Sequence, residues 1–198
     1  IEPEYLKRHP VPFGEYVPFR DSLSFIPALD AVPRDMIRGD RPVVFELTEG
    51  VLGSAISFEG AFARTIRSEV AEGAELLVLP SNEGSYGRTE ASDQFVGMVR
   101  MRAAETGTPI VLAAITGKSL VIAADGALGE EVTSLFVPSV LIQDVNWRTA
   151  GQTLYVRYGD WLQILAIVAG AIAVIPNRRR PSAITTPPWA QPRATIGS

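Results

Sequence analysis

The chain has 198 residues, 46% of them hydrophobic, and a formal charge of −4. These values exclude a disordered polypeptide and a broad phosphate-neutralising surface, so no nucleic-acid partner is expected. With no cysteine the chain cannot form disulfides, thiolate metal sites or a thiol nucleophile, and one histidine, His9, leaves almost no material for a zinc site or a Ser/His/Asp triad. Catalysis, if present, must rest on carboxylates, lysines and hydroxyls, and neither a metal nor a cofactor is expected. The chain starts at Ile1, without methionine or signal peptide, and reads as a processed product or a fragment.

Residues 1–20 hold four prolines and predict an ordered extended loop. Residues 21–40 are mixed, with a possible short helix. Val43–Leu47 predicts a strand, and Gly50–Phe58 a second one, apolar on both faces. Phe62, Ile66 and Val70 recur at helical spacing within Glu59–Gly73, and Gly73 stands at a helix C-cap position. Glu75–Pro80 predicts a buried strand, followed by the polar loop Ser81–Gly87. Ser92–Thr106 predicts a helix and Pro109–Ala114 another buried strand. Ser119–Ala123 predicts a hairpin strand turning at Asp125–Gly126, and Val137–Val145 a further strand. Strands alternating with helices imply an α/β domain.

Trp161–Ile175 holds no charge over fifteen residues. As a helix it reaches about 22 Å at about 1.5 Å per residue, against a hydrocarbon core of about 30 Å. Tyr155, Tyr158 and Trp161 form an aromatic belt on one side and Arg178–Arg180 a basic stop on the other. The segment is read as a transmembrane helix over 154–176, with a buried core helix as the alternative. The Pro/Thr/Ala-rich tail, 177–198, is expected to be cytoplasmic and disordered.

The run from Tyr5 through Lys7, His9, Pro12, Phe13, Gly14, Glu15 and Tyr16 to Pro18 is long and specific. It resembles a segment of the apolipoprotein N-acyltransferases, membrane enzymes of the nitrilase (carbon–nitrogen hydrolase) superfamily. The resemblance continues collinearly through Ser57-Phe58-Glu59, where the family has Cys-Tyr-Glu. Further matches are Ser81-Asn82-Glu83 to Tyr86-Gly87, Arg102-Ala103 to Glu105, Thr116-Gly117 to Ser119, and Tyr155 to Trp161. It covers about residues 5–175.

The resemblance implies the C-terminal part of a nitrilase-type α-β-β-α sandwich over 1–150, followed by one transmembrane helix. It implies acyl transfer from a phospholipid donor to the N-terminal amine of a lipid-modified cysteine on a lipoprotein acceptor. The location implied is the cell membrane, with the nitrilase-like domain on the periplasmic or extracellular side. Lys7 falls on the family's catalytic lysine, Ser57 on its cysteine nucleophile, and Glu15 and Glu59 on auxiliary acidic positions. The triad's glutamate falls before Ile1, so a separate chain is a possible source of the N-terminal half. Asn82, Tyr86, Arg102 and Glu105 become candidate substrate-binding residues.

The residues also admit plainer readings. Lys7 can be a solvated loop lysine, and Ser57 a helix N-cap. Glu59 can favour a helix N-terminus, while Asn82 and Tyr86 can serve turn chemistry. Serine needs a stronger base than cysteine does. Phe95, Leu112 and Ile115 also stand where the family carries polar groups. The expected chain is therefore an impaired or inactive acyltransferase relative. The alternatives are a pseudoenzyme that binds lipoprotein or a partner acyltransferase, and a soluble nitrilase-type amidase, which would need a cysteine and no membrane helix.

Overall fold

The computed structural model describes residues 4–177, with side chains as far as 174. The chain divides into two compact units, the first ending at Gly159 and the second beginning at Asp160.

The first unit is built on a six-stranded sheet in chain order. Its strands are β1 (Val44–Glu46), β2 (Val51–Ser54), β3 (Leu76–Ser81), β4 (Ile110–Ala114), β5 (Leu120–Ile122) and β6 (Leu128–Val132). The pairs β2–β3 and β3–β4 are parallel, and the three remaining pairs are antiparallel. The parallel pairs need crossovers, which α1 (Ala63–Ala71) and α2 (Ala91–Thr106) supply. The antiparallel β5–β6 pair closes through the Asp125–Gly126 turn, where Ala127 N–H reaches the Asp125 carboxylate at 2.9 Å.

Register places the core. Leu77 stands opposite Ile110 and Leu79 opposite Leu112, while Ile110 and Leu112 face Ile122 and Leu120 on β5. This row packs against Ile66 and Val70 of α1 and Phe95, Val99 and Ala103 of α2, all buried. Each such side chain contributes about 1.5–3 kcal/mol by leaving water. Val78, Val111 and Val121, on the opposite face, are only half-buried. Of the expected α-β-β-α sandwich, the described residues thus show one helical layer on one mixed sheet.

Two sequence expectations need correction. Val137–Val145 runs without strand pairing, and Val140 (86% exposed) and Ile142 (89% exposed) have no apolar layer to cover them among the described residues. A strand needs a partner edge as well as β-branched residues, and none is offered there. The expected single helix over 154–176 is broken into α3 (Leu154–Tyr158) and α4 (Trp161–Asn177). Thr153 caps α3, its hydroxyl accepting from Val156 N–H at 3.2 Å. Gly159, at φ 62° and ψ −135°, ends it in a conformation open to glycine and few others. Val156 of α3 belongs to the core.

In the second unit α4 spans 17 residues, about 26 Å. No helix among the described residues is long and apolar enough to cross a membrane. Arg178–Arg180 and the tail beyond them lie outside the described residues.

Candidate active site

Parallel strands β2, β3 and β4 present their carboxyl ends along one sheet edge, where α/β proteins commonly place ligand contacts. Three segments follow these ends: Ala55–Ala61, Asn82–Gly87 and Ile115–Gly117.

The first carries Ser57. It opens a 3₁₀ turn, Ser57–Ala61, whose N-cap position is Ile56, so serine is not the helix cap here. Ser57 instead adopts φ 53°, left-handed for a residue with a Cβ, which costs of order 1 kcal/mol. The residue is half-buried, and its hydroxyl makes no hydrogen bond to a described residue. A half-buried serine on a strained turn after a strand is compatible with the nucleophile role that the resemblance implies.

Glu59 explains how the strain is held. Its carboxylate is fully buried. One oxygen accepts from Arg8 N–H at 2.6 Å and His9 N–H at 2.8 Å. The other accepts from Ile56 N–H and the Tyr5 hydroxyl, both at 2.8 Å. A single side chain therefore ties the backbone beside Lys7 to the backbone beside Ser57. Four donors saturate the carboxylate, so Glu59 positions the site and has no free lone pair for proton transfer. Burial, and after it the Glu59 charge, hold the Tyr5 phenol well above its usual range, which keeps it a donor.

Lys7 is buried, not solvated: 4% of it is exposed, and Nζ donates to Glu15 at 2.6 Å. The second Glu15 oxygen accepts from Val11 N–H at 2.8 Å, which fastens the tight turn between them. His9 stacks on Phe62, with ring centroids 4.8 Å apart, and its Nδ1 meets the Thr65 hydroxyl at 3.0 Å. Arg8 reaches α1, pairing with the buried Glu69 at 2.7 Å and with Ser68 Oγ at 2.8 Å. Lys7, Glu15, Ser57 and Glu59 thus belong to segments that one buried network connects.

The other candidates separate. Asn82 is exposed, and its Oδ1 accepts from Gly84 N–H and the Thr116 hydroxyl, each at 3.1 Å, so it performs turn chemistry. Tyr86 is half-buried against the core, its phenol pushed up by burial and then by the Glu83 charge. Arg102 donates to Ala61 O and to Glu105, both at 3.0 Å, and so bolts α2 to the end of the Ser57 turn. Glu105 orients Arg102, and its carbonyl accepts from Thr153. Both thus join α2 to neighbouring segments. Of the apolar substitutions, Phe95 and Leu112 are core residues, whereas Ile115 is 82% exposed on the candidate edge.

Two acids, Glu69 and Glu83, are buried without having been singled out from the sequence as site residues. Burial first, moderated by Arg8, pushes the Glu69 carboxyl up to about 7. Burial likewise raises Glu83. Nothing in residue type marks either as buried, since acids at helix and loop positions normally face water. The spacing of Glu69 on the buried Ile66–Val70 face of α1 was the available signal.

The carbon–nitrogen hydrolase family model matches residues 1–155. Among similar curated proteins is an apolipoprotein N-acyltransferase of Geobacter metallireducens, 37% identical over 176 residues, 88% of this chain and 33% of that one. Another, from Haemophilus ducreyi, is 32% identical over 161 residues, 80% of this chain and 31% of its own. The chain thus spans about a third of the length of these relatives. An amidase structure from Nesterenkonia sp. superposes on 55% of this chain and 44% of its own, with TM-score 0.41 and 21% identity. With the family match over most of its length, the chain belongs to the carbon–nitrogen hydrolase family.

Proposed function

We propose that the chain carries the nucleophile-bearing part of an apolipoprotein N-acyltransferase site. The observation that carries this reading is the Glu59 clamp, which gathers the Lys7 and Ser57 segments at the carboxyl edge of the sheet. The name shared by relatives at 30–37% identity supplies the reaction. Ser57 Oγ adds to the ester carbonyl of a phospholipid. The bond to the glycerol oxygen then breaks, and the hydroxyl proton ends on that oxygen. The N-terminal amine of a lipid-modified cysteine next attacks the acyl ester, forms the amide and returns a proton to Oγ. Lys7 faces the developing oxyanion, and Glu15 holds Lys7 in place. Asn82 and Tyr86 shape the rim that substrate meets.

In this reading α4 lies in the membrane, since taken by itself it carries no charged residue from Trp161 to Val174 and Gln163 is its one strongly polar side chain. The nitrilase-like unit then lies on the periplasmic or extracellular side and Arg178–Arg180 on the cytoplasmic side.

These 198 residues alone are expected not to turn over. A serine hydroxyl needs an adjacent base, the carboxylate of Glu59 is saturated, and no residue here matches the triad's glutamate. Loss of a triad member costs about 10⁴ in rate, and such losses do not repair singly. A second reading, a pseudoenzyme that binds lipoprotein or a partner acyltransferase, is favoured by the apolar Phe95, Leu112 and Ile115 in place of polar groups. The test is purified chain with phospholipid and a diacylated lipopeptide, read by mass spectrometry for a third acyl chain. No product is expected from the chain or from Ser57→Cys, and product with a co-expressed N-terminal half separates the enzyme reading from the pseudoenzyme. Triacylated product above the no-protein control from the chain alone overturns the inactivity.

A further inference from the structure

The segment after β3 contains a carboxyl that the acyl-transfer scheme does not use. Glu83 is 1% exposed, and neither of its carboxyl oxygens has a hydrogen-bond partner. The hydroxyls of Ser81 and Ser92 adjoin it and favour its charged form, yet both are buried and unpartnered as well. Four polar atoms therefore share one buried spot with no bond drawn between them. An ionised carboxylate in that state loses its hydration without replacement. A protonated one can donate to a serine and leave a hydroxyl to donate back. Burial accordingly raises its pKa.

Glu83 is also a junction between two loops of the candidate edge. Its N–H donates to Thr116 Oγ at 3.0 Å, and Thr116 Oγ donates in turn to Asn82 at 3.1 Å. Its carbonyl accepts from Tyr86 N–H at 2.9 Å, and Ile115 N–H reaches Ser81 O at 2.9 Å. Gly117 lies directly over the carboxyl: a Cβ there would stand 2.3 Å from Glu83 Cδ. No side chain fits at Gly117 while Glu83 keeps its place.

We propose that Glu83, through its buried carboxyl beside Ser81 and Ser92, is the positioning residue that locks the Asn82–Gly87 loop onto Ile115–Gly117 at the edge carrying Ser57. Ionisation of Glu83 unlocks the loop. The inference rests on the acyl-transfer reading only for what the loop covers, because the lock itself is a property of the fold. The charged groups facing Glu83 are Asp93, which raises its pKa, and Lys118, which lowers it; the two are paired with each other at the start of α2 and the end of the β4 loop. The Tyr86 phenol also feels the Glu83 charge.

The experiment is amide hydrogen exchange of the whole chain from pH 5 to 9, each rate normalised to its intrinsic chemical rate. The amides of Glu83, Tyr86 and Ile115, which make the bonds of the lock, should gain exchange in a step of roughly tenfold or more. Glu83→Gln should abolish the step. If that variant does not fold, the exposed Asp93→Asn should move the step to lower pH and Lys118→Met to higher pH. A flat profile, a step that survives Glu83→Gln, or a step unmoved by both charge variants overturns the proposal. Acyl-transfer assays do not enter this readout, so failure of the enzyme reading leaves its outcome distinct.

Discussion

Glu69→Gln gives the sharpest test of the buried network. The Glu69 carboxylate is fully buried, accepts from Arg8 at 2.7 Å and from Val43 N–H at 3.1 Å, and has its pKa raised from 4.5 to about 7. Burial outweighs the Arg8 pairing. The folded chain therefore binds the proton more tightly than the unfolded chain does. This contribution to stability is fully present below about pH 4.5 and is lost as pH rises through about 7. A shift of about 2.5 units corresponds to about 3 kcal/mol. Urea unfolding across pH 4.5–8.5 should thus show native stability falling with pH. Glu69→Gln, which cannot ionise and keeps the size of the side chain, should lose that part of the slope. The free-energy difference between variant and native should move by about 3 kcal/mol in the variant's favour between the two ends. Glu83 titrates in the same direction but cancels from the difference, because both proteins retain it. A difference that is flat with pH, or that grows in the native chain's favour, refutes the argument that burial overrides the Arg8 pair.

Glu59→Gln should destabilise the first unit by about 3 kcal/mol or more, because the amide NH₂ replaces one accepting oxygen with a donor set against two donors, and the bonds that remain lose their charge; a thermal shift corresponding to under about 1 kcal/mol would sink the clamp. Ser57→Gly should be neutral or stabilising by up to about 1 kcal/mol in urea, since glycine accepts φ 53°, whereas Ser57→Val should destabilise. Gly159→Ala should cost about 1–3 kcal/mol by forcing a side chain into φ 62°, ψ −135°, and unchanged stability would refute the reading of this break.

The sheet was legible because β3 and β4 are continuous apolar runs, buried on the helix side through Leu77, Leu79, Ile110 and Leu112. The hairpin was legible in Asp125–Gly126, and the site segment in the Tyr5–Pro18 run. What stayed hidden depends on the third dimension. A glycine inside a helical pattern costs only about 1 kcal/mol, so the pattern reads straight through Gly159. The strand expected at 137–145 has the right residues, but pairing is supplied by a neighbour and not by composition. Glu69 and Glu83 looked like surface acids because charge says nothing of burial. Phe62, expected on the buried helix face, lies 38% exposed, where it stacks on His9.

The arrangement around Ser57 also bears on why serine occupies a strained turn at all. Strain persists only where the surroundings over-determine it. Here Glu59 fastens Ile56 from within the turn, and Arg102 holds Ala61 at its far end. Gly60 sits so close to β3 and α2 that a Cβ would lie 2.5 Å from Leu79 Cδ2. None of these fastenings involves the side chain at position 57. The backbone geometry is therefore independent of whether a thiol or a hydroxyl stands there, and exchange of one for the other changes nucleophilicity without relaxing the turn. If Ser57 is the nucleophile, as proposed, chemistry has been altered at one atom while the scaffold of the turn is kept. It predicts that Ser57→Cys retains both the fold and the hydrogen bonds of Glu59. Downfield amide shifts of Arg8, His9 and Ile56 that match the native chain would agree with this, and their loss would show that the hydroxyl itself holds the turn.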